Sequence, residues 1–199
     1  GGWVHTAYGE DWFMHFQDKG AYGRVVHLQP VTWKDGWPVM GKVPSKGYCG
    51  EPYTKFTKPK SDSKVIVNPA ESDEFNTTKL GLQWQWHANY QQNFGQPTPY
   101  GFFRMYNHKL SKNFVNLWEA PNLLLQKTPA DAFTATAHVK VAAKQDGNYG
   151  GIIMMGRGYS ALVVKRVGDK FQLQQITCNK ADSNAPEDIK VLAELDATS

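Results

Sequence analysis

Seven carboxylates invite a search for an acid–base pair: Glu10, Asp11, Asp18, Asp73, Glu74, Glu187 and Asp188. Hydrolytic chemistry needs one carboxyl held protonated and another held ionised at a defined separation. Most of these groups are instead sequence neighbours in turn or linker text, where a solvated surface explains them. No catalytic residue is assigned within this chain. His5, His15 and His27, taken with Asp18, suggest a metal centre, but the set lacks ligand spacing. Positions three apart on a strand face opposite ways, so His15 and Asp18 cannot share a ligand sphere from one strand. Packed or hydrogen-bonded imidazoles are expected, and no metal ligand is assigned. Cys49 and Cys178 form neither a disulfide framework nor a metal motif, and whether they are bonded stays open. The glycine-rich runs Gly147-Asn148-Tyr149-Gly150-Gly151 and Gly156-Arg157-Gly158-Tyr159 precede no helix, so they read as strand turns and not as a phosphate cradle.

The composition sets the frame in which such groups would work. The 199 residues carry 41% hydrophobic and 13% aromatic side chains, which excludes intrinsic disorder. The net charge of +4 is spread along the chain without a basic stripe, which argues against a nucleic-acid partner. No apolar run approaches the roughly 18 residues of a membrane span. Seven Trp, nine Tyr and ten Phe sit largely beside amides and turn residues, as in Trp33-Lys34-Asp35-Gly36-Trp37 and Trp84-Gln85-Trp86-His87. Such company suits sheet packing and also sugar-binding surfaces. The chain opens Gly-Gly-Trp-Val, which reads as a mature or truncated product, and its compartment is left open.

The elements that must position these residues are almost all strands. Residues 1–41 read as a four-stranded antiparallel meander: 1–6, 11–17, 23–29 and 37–40, joined by tight turns. The second, Asp-Trp-Phe-Met-His-Phe-Gln, is apolar on both faces, as a strand buried between two layers would be. Four strands in some forty residues is the size of one propeller blade, which cannot bury both faces alone. Residues 42–79, punctuated by Pro44, Pro52, Pro59 and Pro69, read as an extended linker running over a surface. Residues 80–199 read as a second all-β unit with strands at 82–87, 101–106, 122–127, 133–144, 149–156, 161–166, 170–178 and 189–195. The clearest alternation lies at 133–144, where Phe133, Ala135, Ala137, Val139, Val141 and Ala143 interleave with Thr134, Thr136, His138 and Lys140. A β-sandwich fits this spacing, and one without its closing strand.

Several stretches together resemble one enzyme family. They are Gly-Gly-Trp-Val, the run from Trp12 to Pro30 (Trp-Phe-Met-His-Phe-Gln-Asp-Lys-Gly-Ala-Tyr-Gly-Arg-Val-Val-His-Leu-Gln-Pro), and Trp-Lys-Asp-Gly-Trp-Pro-Val-Met-Gly at 33–41. To these add Leu-Gly-Leu-Gln-Trp-Gln-Trp at 80–86, Tyr-Gly-Gly-Ile-Ile-Met-Met-Gly at 149–156 and Lys-Phe-Gln-Leu-Gln-Gln at 170–175. The first group resembles the final blade of glycoside hydrolase family 43, of β-xylosidase and α-L-arabinofuranosidase type. The second resembles the concanavalin-A-like sandwich that follows the propeller in many members.

The resemblance implies an all-β fold: one four-stranded blade of a five-bladed propeller at 1–41, a linker at 42–79, and an incomplete concanavalin-A-like β-sandwich at 80–199. It implies inverting hydrolysis by an Asp base and a Glu acid, about 6.5–9.5 Å apart, with a second Asp tuning the acid. All three belong to blades preceding this one, so the piece alone is expected to be inactive. Within Ala-Tyr-Gly-Arg-Val-Val, Arg24 matches the family's subsite arginine, whose planar fork can hold a carboxylate and a hydroxyl together. Asp18, just before that loop, is the second candidate substrate-binding residue. The implied partners are a xylo- or arabino-oligosaccharide and the upstream blades of the same protein, with neither nucleic acid nor membrane. No cofactor is required, although a calcium ion is an option at the centre of the parent propeller. A secreted or periplasmic parent is implied. The alternative reading is a non-catalytic carbohydrate-binding or structural sandwich module.

Overall fold

The computed structural model describes residues 1–196. The chain divides into two compact units, Gly1–Asn68 and Pro69–Ser199. Among the described residues there is no α-helix, only three single-turn 3-10 segments at Gly20–Tyr22, Leu117–Glu119 and Ala181–Ser183. The expected all-β class is what forms.

In the first unit β1 (Gly2–His5), β2 (Asp11–Asp18), β3 (Arg24–Lys34) and β4 (Trp37–Met40) make one antiparallel sheet in sequence order. The β3–β4 connection shows why the register is fixed. Lys34 pairs with Trp37 across two residues, Asp35 at φ 54° and Gly36 at φ 77°. Positive φ at both central positions is the twist-matched hairpin turn that Asp-Gly favours. The apolar β2 is not sandwiched within its unit: Trp12 is buried, but Met14 and Phe16 are 43% and 50% exposed. A four-stranded sheet has two faces, and the chain that follows it is too short to cover both.

That following chain lies along the first sheet. Lys42 and Glu51 form an isolated antiparallel bridge. Gln29 imitates a ladder residue with its side chain, donating from Nε2 to the Tyr53 carbonyl (3.1 Å) and accepting the Tyr53 N–H on Oε1 (2.7 Å). Phe56 packs its edge on Trp12 with ring centroids 5.8 Å apart. The Lys60 N–H donates to Glu10 Oε2 at 3.0 Å.

The second unit contains β5 (Gln85–Trp86), β6 (Gly95–Pro97), β7 (Phe103–Met105), β8 (Leu124–Leu125), β9 (Tyr149–Met155), β10 (Tyr159–Val167), β11 (Lys170–Cys178) and β12 (Asp188–Leu195). The last four form a sheet in the order β12-β11-β10-β9, while β5–β8 and β6–β7 are short separate ladders. Gly168, at φ 60°, takes the first central position of the β10–β11 hairpin, where only glycine sits without strain. Alternate residues of the sheet, Tyr159, Ala161 and Val163 on β10 with Ile176 and Cys178 on β11, bury one face against Leu117, Ala120 and Ala181. Fully buried Asn116 fastens this cover. Its Oδ1 accepts the Trp118 N–H at 3.0 Å, and its Nδ2 donates to the carbonyls of Ala181 and Ala185 at 3.2 and 2.8 Å. Around β5, Trp86 stands against Phe94 with centroids 5.4 Å apart.

One expectation fails. Residues 133–144, the most regular strand pattern in the sequence, form no ladder, and Phe133 and Val139 stand 39% and 48% exposed. Alternation states that a segment has an apolar side; it does not supply the neighbouring edge whose N–H and C=O groups make a strand. The expected strands at 82–87, 101–106 and 122–127 shrink for the same reason to the two or three residues that find partners. Leu82 is fully exposed at one such trimmed end.

Candidate functional site

Arg24 and Asp18 face each other as the last register pair of the β2–β3 hairpin. Directly opposed residues share a face of the sheet, so the structure brings the two candidate substrate-binding residues together. The loop between them is fixed locally. Asp18 Oδ1 accepts the Gly20 N–H (2.9 Å), the Lys19 N–H donates to the Gly23 carbonyl (2.8 Å), and Gly23 takes φ 74°. The Arg24 guanidinium sits 5.0 Å from the centre of the Phe16 ring, a cation–π contact that gives it an apolar support. Among the described residues no ion pair within 4 Å holds either side chain, and both are exposed. An arginine stacked beneath and open at its edge can present two parallel N–H groups to a carboxylate or a sugar hydroxyl.

The opposite face of the same sheet carries the imidazoles. His15 and His27 are register partners with rings stacked 5.4 Å apart, and Phe13 stacks on His15 at 5.8 Å. His15 lines a shallow hollow of about 200 Å³ with Phe13, Gln29, Met40, Gly50 and Pro52. It therefore does not join Asp18. Among the described residues, no three His, Cys, Asp or Glu side chains converge on a point where a metal ion could bind. The calcium that the resemblance allows has no ligand set built from these residues alone.

Two carboxylates have partners that the sequence reading did not find. Asp11 accepts hydrogen bonds from the indole N–H groups of Trp3 (Oδ1, 2.9 Å) and Trp33 (Oδ2, 2.9 Å), with His5 Nδ1 2.8 Å from Oδ1. These bonds, that from His5 foremost, hold the Asp11 carboxyl below the ordinary aspartate range. Register gave the available signal: Asp11 lies opposite His5 and Val31, so Trp3 and Trp33 are its diagonal neighbours on the same face. Glu187 accepts the Tyr159 O–H at 2.5 Å and the Leu117 N–H at 3.2 Å. Burial, followed by this carboxylate, pushes the Tyr159 phenol well above the usual tyrosine range. Glu187 thus ties the sheet to the Leu117 turn. Both cysteines are free thiols, Cys49 exposed and Cys178 buried with its Sγ directed at the Ala185 carbonyl (3.3 Å).

Within the second unit a groove of about 840 Å³ runs beside the core on the sheet's inner face, reaching Ala161, Val163, Leu117 and Ala120. Tyr106, His108, Asn122 and Tyr149 stand on its walls. Burial above all, and then the Glu187 charge, raise the Tyr149 phenol to about 12, so it stays a neutral donor at physiological pH.

Residues 72–197 match the family described as the β-xylosidase C-terminal concanavalin A-like domain. That is well over half of the chain, and the chain belongs to this family, the C-terminal region of glycoside hydrolase family 43. It is similar to a β-xylosidase of Formosa agariphila, 39% identical over 82 residues, which are 39% of this chain and 14% of the relative. A non-reducing end α-L-arabinofuranosidase of Bacteroides ovatus is 29% identical over 156 residues, covering 76% of this chain and 28% of the relative. Among solved structures, a bifunctional GH43-CE protein of Bacteroides eggerthii superposes with a TM-score of 0.71 at 26% identity, covering 100% of this chain and 24% of that one. The chain thus spans between about a seventh and less than a third of the length of these relatives.

Proposed function

We propose that this chain is the C-terminal portion of a glycoside hydrolase that removes xylosyl or arabinofuranosyl units from plant polysaccharides or their oligosaccharides with inversion. The family match over residues 72–197 carries the reading. The four-stranded sheet before it, whose faces the following chain covers only in part, suits a blade that stacks between others. The acid and base carboxylates are assigned to upstream blades of the parent, as the resemblance to the family implies. The chain's own contribution to chemistry is Arg24, with Asp18 beside it. The guanidinium holds the base carboxylate ionised and donates to a substrate hydroxyl oxygen, which positions the sugar against the base.

The test belongs in the full-length parent. Arg24→Ala removes charge-assisted hydrogen bonds worth roughly 1.5–3 kcal/mol, so kcat/KM on pentoside substrates is expected to fall about 10- to 100-fold with the fold intact. Arg24→Lys restores little, because an ammonium cannot make two parallel bonds. An Arg24→Ala parent with unchanged kcat/KM would remove Arg24 from the subsite. The groove beside Tyr106 and Tyr149 favours a second reading, a carbohydrate-binding module. Titrating xylo-oligosaccharides against the chain while following tryptophan emission separates the two, since only the module predicts saturable binding.

A further inference from the structure

The β6–β7 hairpin ends in a loop whose backbone is tightly held. The Thr98 N–H (3.0 Å) and the Thr98 hydroxyl (2.7 Å) both donate to the Phe102 carbonyl. The hydroxyl oxygen in turn accepts the Tyr100 N–H at 3.4 Å. Gly101 takes φ 73°, the left-handed position that closes a three-residue hairpin loop. Tyr100 therefore stands at the apex of a fixed turn, and it is 81% exposed.

That ring does not stand alone. Phe102, 41% exposed, lies within 18° of parallel to it with centroids 6.3 Å apart. The Arg104 guanidinium sits 5.7 Å from the Phe102 centroid, a cation–π contact. Gln96 pairs with Arg104 across the hairpin, so the two share a face. Gln96 Nε2 donates to the Tyr106 hydroxyl at 3.1 Å on the same face. Phe103, the next residue along β7, packs instead against Trp86 and Phe75. Rings thus alternate with an amide, a guanidinium and phenol hydroxyls. Sugar rings present apolar C–H faces and hydroxyl edges, which match that alternation.

Charge decides which kind of glycan suits this face. Residues 75–118 contain no Asp or Glu, but they carry Lys79, Arg104, Lys109 and Lys112. Asp73, just before that stretch, already accepts from the Phe75 N–H, the Trp84 indole and the Gln83 amide. Among the described residues no ion pair within 4 Å holds Arg104, and its side chain is exposed. An exposed guanidinium without a carboxylate partner is a receptor for one. We propose that the face formed by Tyr100, Phe102 and Arg104 binds a plant glycan strand that bears carboxylates, as uronate-substituted chains do. The two rings take the apolar faces of the sugars, and Arg104 takes the uronate. This ligand rests on the second reading above, that of a carbohydrate-binding module, and Tyr106 joins the face to the groove of that reading.

Titration of residues 1–199 with soluble glucuronoxylan, and with the same polymer after carboxyl reduction, reads this directly. At low ionic strength the native polymer is expected to bind about five-fold more tightly than the reduced one, a preference that salt weakens. Arg104→Gln is expected to erase that preference. Arg157→Gln, which removes the same charge from another exposed position of the unit, is expected to keep it. Tyr100→Ala is expected to weaken both polymers alike, with an unchanged urea midpoint because the ring is exposed. Equal, saturable binding of the two polymers would overturn the proposal while leaving a carbohydrate-binding module in place. No binding of either would overturn both. A preference lost as fully in Arg157→Gln as in Arg104→Gln would also overturn the proposal, by assigning the effect to net charge.

Discussion

Glu187 and Asp11 are the residues where the chemistry of this chain is structural. Glu187 receives both a phenol and a backbone N–H from the Leu117 turn. Replacing it by Ala leaves a buried Tyr159 hydroxyl without its acceptor, at a cost of about 1–3 kcal/mol in denaturant unfolding of the second unit. Tyr159→Phe in the same background is expected to recover part of that loss, because the orphaned donor is then gone. Asp11 acts through its charge. Its carboxyl sits below the ordinary range in the folded state, so its contribution is complete above the unfolded value near 3.8 and disappears as pH falls through the lowered folded one. Asp11→Ala is expected to abolish that acid-side dependence and to shift the emission of half-exposed Trp3 and Trp33 to the red; an unchanged acid limb would contradict it. The sequence shows Asp11 only as one of an adjacent carboxylate pair in turn text. Its indole partners lie on two other strands, and only the register places them beside it.

At the scale of elements, strands bounded by strong turns were legible and strands defined by alternation alone were not. The run 170–178 was read to the residue because Gly168-Asp169 opens it and β10 pairs along its length. The strands of the first sheet were legible from their turns, except that β3, expected over 23–29, continues through Pro30 to Lys34. Residues 133–144 carry the better pattern but no partner edge in this structure, and β6 escaped notice because a three-residue strand has no period to detect. Arg24 is assigned through its family context alone, since nothing in its own spacing separates a subsite arginine from a rim arginine. β9 also supplies a test at alkaline pH. The Tyr149 phenol is raised to about 12, so between pH 10 and 12 the unfolded chain has lost a proton that the folded one keeps. Stability of the second unit is therefore complete below pH 10 and declines up to pH 12. Tyr149→Phe should flatten part of that decline in urea titrations, with the remainder belonging to Tyr159; an identical decline in the variant would show that Tyr149 titrates as an exposed phenol.

For the whole molecule, the residues divide into a four-stranded sheet that the following chain covers only in part and a unit matching the sandwich that completes β-xylosidases of its family. Arg24, exposed at the end of the β2–β3 hairpin opposite Asp18, is the residue that the proposal assigns to the sugar site. The central claim is that this polypeptide shapes and completes a sugar site whose acid and base come from other blades of the parent. The most direct measurement is hydrolysis of aryl β-xylopyranoside and α-L-arabinofuranoside by residues 1–199, run beside the full-length parent under the same conditions. The account predicts turnover by the parent and only background rates from residues 1–199. Robust, saturable turnover by residues 1–199 alone would contradict it.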